Sequence, residues 1–278
     1  MRWRIPVAFL MFAAAALAQT PAEGGPPNLL EEARRTALNY SKSLPDFICT
    51  ELIHRFEGYG PTGPLRPTDV LTLQLTYFQM KENYKLVARN NKSTKASLAS
   101  VGGAFSQGEF GSKLMLLFHP TSKAEFTFEE WTTIGDRRVA VYTFRVKRVN
   151  SHFEMRVAQN SVVAGYHGEV FIDEPTQRVL RVAETIDVPE GFPVQFSHNT
   201  EDYDFVDVSG HAYLLPVRCE SLAADLPPVR GRGGRLMDTE SQKANQIRYR
   251  NVIEFRDYRK YAAESTLSFD TPAGPPKE

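Results

Sequence analysis

The sequence predicts a mainly β protein: a strongly curved antiparallel sheet, or half barrel, of about ten strands with an N-terminal amphipathic helix and a short helical plug. Three observations predict it. Apolar and polar residues alternate through most of the chain after residue 46. Turn residues separate the alternating runs at hairpin spacing, which makes sequence neighbours antiparallel neighbours. So many strands must curl or split into two layers, and the inside of a curled sheet supplies the apolar surface that a leading helix needs. A sandwich with the helix at its edge is the alternative.

The elements follow in order. Arg2 and Arg4 precede an uncharged apolar run, Val7 to Leu17, and Ala16-Leu17-Ala18 offers small residues to a signal peptidase. Residues 1–18 therefore read as a cleavable signal peptide, cut after Ala18, and the chain as periplasmic or secreted. The run of about 11 residues is half the ~20 that span a bilayer. Residues 19–27 are a polar, Pro/Gly-rich lead expected to be disordered. Asn28 and Glu31 stand at capping-box spacing. Leu30, Ala33, Ala37, Tyr40 and Leu44 then share a helical face, Glu31 and Arg35 can pair outside it, and Pro45 ends it.

Strands are expected at 47–56, 70–78 and 83–88. In the second, Leu71, Leu73, Leu75 and Tyr77 share one face. Residues 89–123 break the pattern, with glycines at 102, 103, 108 and 111 and the apolar run Lys113 to Phe118 before Pro120. The segment 97–118 reads as a plug or lid. Strands resume at 124–134 and 137–148, joined by Gly135-Asp136. Further pairs are 166–173 with 178–187 and 200–208 with 212–222. A polar loop spans 223–244, and a long strand, 246–261, precedes a flexible tail, 263–278. Residues 28–262 form a single β-rich domain.

Charge excludes one function class. Loss of Arg2 and Arg4 takes the 33 basic residues to 31, against 33 acidic, a formal −2. A nucleic-acid binder needs a basic face. The tract Arg230-Gly-Arg-Gly-Gly-Arg235 is accordingly read as a loop rather than as an RNA-binding element. Cys49 and Cys219 are expected to pair in an oxidising compartment, closing a long loop; two buried free thiols are the alternative.

No motif carries chemistry. The six histidines show no ligand spacing, although His198 and His211 could meet across a hairpin, and no metal or cofactor is implied. Asp202 and Asp204 point the same way on a strand, at about the 7 Å that glycosidase acids use, but solvent-facing carboxylates read identically. Tyr203 and Phe205 supply the buried side of that alternation. Ala104-Phe-Ser-Gln-Gly108 approaches a nucleophile elbow without its strand and helix. The aromatic and aliphatic residues of the strands and the plug then give the candidate ligand-cavity lining: Leu73, Tyr77, Tyr142, Phe144, Leu116 and Phe118.

Three segments carry a resemblance: Ser43-Leu-Pro-Asp-Phe-Ile-Cys-Thr50, Tyr166-His-Gly-Glu-Val-Phe-Ile-Asp173 with Arg178-Val-Leu-Arg181, and Glu254-Phe-Arg-Asp-Tyr-Arg-Lys-Tyr261. They resemble a group of uncharacterised exported bacterial proteins. The middle segment is also similar to the strand-turn-strand unit of the lipoprotein-carrier (LolA/LolB-like) fold. That resemblance implies a half barrel with helices plugging its concave face. The expected function is non-enzymatic binding of a lipophilic group, lipoprotein or peptide in that concavity. A cell-envelope hydrolase using acidic residues and a structural envelope module are the alternatives.

Overall fold

The computed structural model describes residues 25–26, 28–102, 109–157, 159–225 and 245–261. The expectations for the signal peptide and its cut, the Arg/Gly tract, the elbow-like segment and the C-terminal tail lie outside these residues, as does the lead segment 19–27 except for residues 25 and 26.

Two short helices come first, α1 (Leu29–Leu38) and α2 (Tyr40–Ser43). One continuous helix was the expectation. It breaks at Asn39, where Asn39 Nδ2 donates to the carbonyl of Arg35 at 3.0 Å and Thr36 Oγ1 to that of Ala33 at 3.0 Å. Such side chains compete with the helical backbone ladder. Asn28 sits at φ 72° and makes no cap. The predicted capping box is therefore absent. Arg34 pairs with Glu31 and Arg35 with Glu32, both at i,i+3, in place of the expected Glu31–Arg35 pair.

Among the described residues, eleven strands form one open antiparallel sheet. These are β1 (Phe47–Tyr59), β2 (Arg66–Phe78), β3 (Lys81–Arg89), β4 (Lys92–Ser93), β5 (Glu125–Ile134) and β6 (Arg137–Val146), then β9 (Gly165–Asp173), β10 (Val179–Asp187), β11 (Val194–Val208), β12 (His211–Asp225) and β13 (Ile247–Lys260). A separate hairpin, β7 (Glu154–Val157) with β8 (Asn160–Val163), stands apart and has no counterpart in the sequence reading. The sheet order is β4-β3-β2-β1-β13-β12-β11-β10-β9-β6-β5. Most neighbours are hairpin partners, as the alternation predicts. Two pairs are exceptions: β6 pairs with β9 across the separate β7–β8 hairpin, and the two ends of the domain join, with Phe47 of β1 opposite Lys260 of β13 and Tyr59 opposite Ile247.

The sheet is curved and its inner face is covered by α1 and by α3 (Ser112–Phe118). Leu29, Ala33 and Ala37 of α1 and Leu114, Leu117 and Phe118 of α3 pack on Tyr142, Phe144, Val170 and Val182. A second apolar cluster gathers Phe47, Leu71, Leu73, Leu75, Tyr77, Phe110, Ile253 and Phe255. Phe110 lies 5.1 Å from the ring of Phe47 and 5.4 Å from that of Phe255. Buried hydroxyls tie the helices down: Tyr40 Oη donates to the Leu214 carbonyl, and Tyr77 Oη to that of Ser41, each at 2.9 Å.

Candidate functional site

The two apolar clusters meet at a polar seam across the inner face. Glu51 stands two residues from Ile53 on β1; Ile53 is opposite Ile253, Ile253 opposite Cys219, and Cys219 opposite Glu201. Glu201 is in turn opposite Val182, two residues before Glu184 on β10. Side chains two apart on a strand share a face. Glu51, Cys219, Glu201 and Glu184 therefore form one inward row, supplied by four of five adjacent strands. Glu51, Glu184 and Glu201 are at most 4% exposed.

The covering segment completes the seam. Lys113 of α3 puts Nζ 3.0 Å from Glu184 Oε1 and 3.3 Å from Glu201 Oε2. Glu109, just before α3, is also buried; its Oε2 accepts from Tyr84 Oη at 2.9 Å. Glu51 Oε2, Glu109 Oε1 and the hydroxyl of Tyr166 make no hydrogen bond.

Burial governs the protonation states. Desolvation pushes Glu201 up to about 8, with Glu109 adding to the shift and Lys113 opposing it. Desolvation, then Glu109 and Glu82, push Glu51 up to about 9. Burial pulls Lys113 down, but Glu184 and Glu201 outweigh it and hold the ammonium charged. Burial and then Glu201 raise the Cys219 thiol and the Tyr203 phenol. The seam holds protons firmly and its thiol is not a nucleophile.

The expected cavity residues are distributed between both clusters. Leu73 and Tyr77 belong to the one around Phe110, and Tyr142, Phe144 and Phe118 to the one around α1 and α3; all five are at most 6% exposed. Leu116 of α3 is half-buried. Lys113, Glu109, Glu51, Glu184 and Glu201 were missed. For the strand residues the signal was present: Glu51 shares inward parity with Cys49 and Ile53, and Glu201 shares it with Tyr203.

The expected Cys49–Cys219 disulfide is absent: both cysteines are buried and free. Register explains why. Cys219 aligns with Ile53, four residues from Cys49 and two strands away. That places them about 10 Å apart across the sheet and about 13 Å along it, whereas a disulfide tolerates a Cα separation of up to about 7 Å.

The other candidates face outward. Asp202 pairs with Arg181, and Asp204 Oδ1 accepts from the Phe205 amide at 2.7 Å. Asp202 lines a depression with Arg181, His198, Arg218 and Glu220 that does not include Asp204. Phe205 is 38% exposed and lies against the Arg137 guanidinium instead of supplying burial; a register shift at Asp202/Tyr203 upsets the simple alternation. His198 is opposite Leu222 while His211 is opposite Val208, at the other end of the hairpin, so the two histidines do not meet. A groove of about 540 Å³ crosses β5 to β11 on the outer face, where Asp187 binds both His167 Nδ1 at 2.8 Å and Arg145 at 3.1 Å.

No family model matches the sequence, and no curated protein matches it. Among solved structures, the chain is similar to a LolA superfamily protein from Nitrosomonas europaea, at 10% identity over 86% of this chain and 95% of that one, with a TM-score of 0.29. It is similar to an outer membrane lipoprotein-sorting protein domain from Vibrio parahaemolyticus, at 11% identity over 87% and 93%, TM-score 0.34. It is also similar to a DUF1329 family protein from Desulfovibrio piger, at 9% identity over 86% and 95%, TM-score 0.34. Among the described residues no helix is long and apolar enough to cross a membrane.

Proposed function

We propose that this is an exported, non-enzymatic binding protein that takes a lipophilic group against the inner face of its curved sheet, beneath α3. The observation that supports this most directly is how that face is covered. The cover over the junction of the two apolar clusters is a seven-residue helix, below the length at which a helix is stable by itself. Its hold comes from Leu114, Leu117, Phe118 and the Lys113 ion pairs. Withdrawal of α3 would uncover Tyr142 and Phe144 on one side, and carry Phe118 and Leu116 to the rim. Loss of the adjoining Phe110 from its aromatic cluster would open the side of Leu73 and Tyr77. Export rests on the signal-peptide reading of residues 1–18.

The test is native mass spectrometry of protein purified from its own periplasm, together with titration of a fluorescent fatty-acid probe. Co-purified lipid or saturable probe binding supports the reading. Failure of both abandons it. A second reading, a structural module of the envelope with a filled interior, is favoured by the near-complete burial of Leu73, Tyr77, Tyr142, Phe144 and Phe118. It predicts no probe binding at all.

A further inference from the structure

α3 offers the seam a primary ammonium on a flexible stem, Lys113, set among the apolar side chains Leu114, Leu117 and Phe118. The seam receives it with two carboxylates, at 3.0 Å and 3.3 Å. Acceptors remain after that. Oε2 of Glu51 and Oε1 of Glu109 make no hydrogen bond. Carboxylates alone would make only an acidic patch, but a buried phenol stands with them: Tyr166, 3% exposed, lies beside Glu184 and Lys113 and its hydroxyl has no partner. Tyr203, 4% exposed, lies beside Glu201 and is within its hydrogen-bonding reach. Buried polar atoms are rarely left unpaired in a finished core, so those that are call for an explanation.

We propose that the seam is a binding site for a primary ammonium carried on an apolar chain, and that Lys113 with α3 occupies it as a built-in stand-in for that ligand. The proposal rests on the reading that a lipophilic group displaces α3, and it names the head group. Withdrawal of α3 strips Glu184 of its counter-charge and leaves the Glu201 carboxyl without its neighbouring ammonium. A fatty acid entering there would add a negative charge to buried carboxylates, and a neutral chain would leave Glu184 unpaired. An alkylammonium restores the balance, donates up to three hydrogen bonds, and lays its chain where Leu114, Leu117 and Phe118 had been.

Three amphiphiles of equal chain length, dodecylammonium, dodecanoate and dodecyl maltoside, are titrated into the protein at neutral pH below their micellar concentrations. Dodecylammonium is expected to bind at least about tenfold more tightly than the other two, the factor one charge-assisted hydrogen bond supplies. Bound dodecylammonium should also expose Lys113 to amine acylation, read by peptide mass spectrometry, which binding elsewhere on the surface would not do. Glu184→Gln should weaken dodecylammonium about tenfold and leave dodecyl maltoside unchanged. The wild-type preference and the acylation of Lys113 decide the matter even where that variant fails to fold. Equal or tighter binding of dodecanoate or the maltoside overturns the ammonium site and leaves the lipophilic reading standing. Binding of none overturns both. Dodecylammonium bound with Lys113 still protected overturns the stand-in role.

Discussion

Lys113 Nζ lies 3.0 Å from Glu184 Oε1, joining the short covering helix to the fourth strand of the inward polar row. Glu184 is 5% exposed at its side chain and Glu201 fully buried; Glu184 depends on that ammonium for its counter-charge, while Glu201 holds its proton to about 8. Lys113→Met keeps the apolar stem and removes the charge. It should destabilise the fold by about 2–4 kcal/mol, somewhat less than breaking an ordinary buried pair, because Glu201 can retain a proton instead. The midpoint of urea unfolding measures this; an unchanged midpoint would mean that the ion pair does not hold α3 in place.

Much of the sheet was legible because burial there follows strict parity. Leu71, Leu73, Leu75 and Tyr77 are each at most 2% exposed, as alternation requires. The helical face was readable at Ala33, Ala37 and Tyr40, but the break at Asn39 and the burial of Leu29 in place of Leu30 were not. The seam was obscured by composition: a glutamate within an alternating strand reads as solvent-facing unless parity is given priority over polarity, and Glu51 and Glu201 obey parity. Lys113 and Glu109 lie beyond any local rule, since their burial depends on where the covering segment lands. The β1–β13 pairing is non-local in the same sense, and the misjudged disulfide follows from it, because the Cys49–Cys219 separation is set by the register of a strand pair that sequence neighbours do not specify.

Stability should fall as pH rises from mildly acidic to mildly alkaline. Glu51 and Glu201 would ionise near 4.5 in the unfolded chain but hold their protons to about 9 and about 8 when folded. Between those limits the folded state binds more protons, so each group contributes a loss of up to about 1.4 kcal/mol per pH unit. The surrounding charges belong to the same seam: Glu109 and Glu82 face Glu51, while Lys113 and Glu109 face Glu201. Glu51→Gln should reduce the slope markedly in thermal melts between pH 5 and 9. A melting temperature that climbs across this interval would contradict the buried-proton account.

Both thiols should be silent in the native protein. Burial raises Cys49 and Cys219 far above neutrality, so little thiolate exists to react. A thiol-reactive chromophore should titrate neither until denaturant is added and then both, and a reductant should leave the melting temperature unchanged. An intact mass two hydrogens short, restored by reductant, would establish a disulfide and refute the register given above.

Asp69 anchors the far end of the covering excursion, and its loss should be among the most damaging single changes. Its carboxylate takes two hydrogen bonds from Arg55, at 2.6 and 2.8 Å, and one from Arg89 at 2.7 Å. Arg55 also donates to the carbonyl of Gly102 at 2.5 Å, linking β1 and β2 to the loop that leads toward α3. The hydrogen bonds from Arg55 hold the Asp69 carboxyl below its usual range. Its contribution is thus present above the unfolded value near 3.8 and is lost as pH falls through the lower folded one. Asp69→Asn removes the charge while leaving a buried guanidinium behind, which costs about 3–5 kcal/mol. Replacing both partners, Arg55→Met with Asp69→Leu, removes the uncompensated charge as well and should recover much of that loss. If the double variant is no more stable than Asp69→Asn, the pair's importance lies in the shape that it imposes on the Gly102 loop and not in charge compensation.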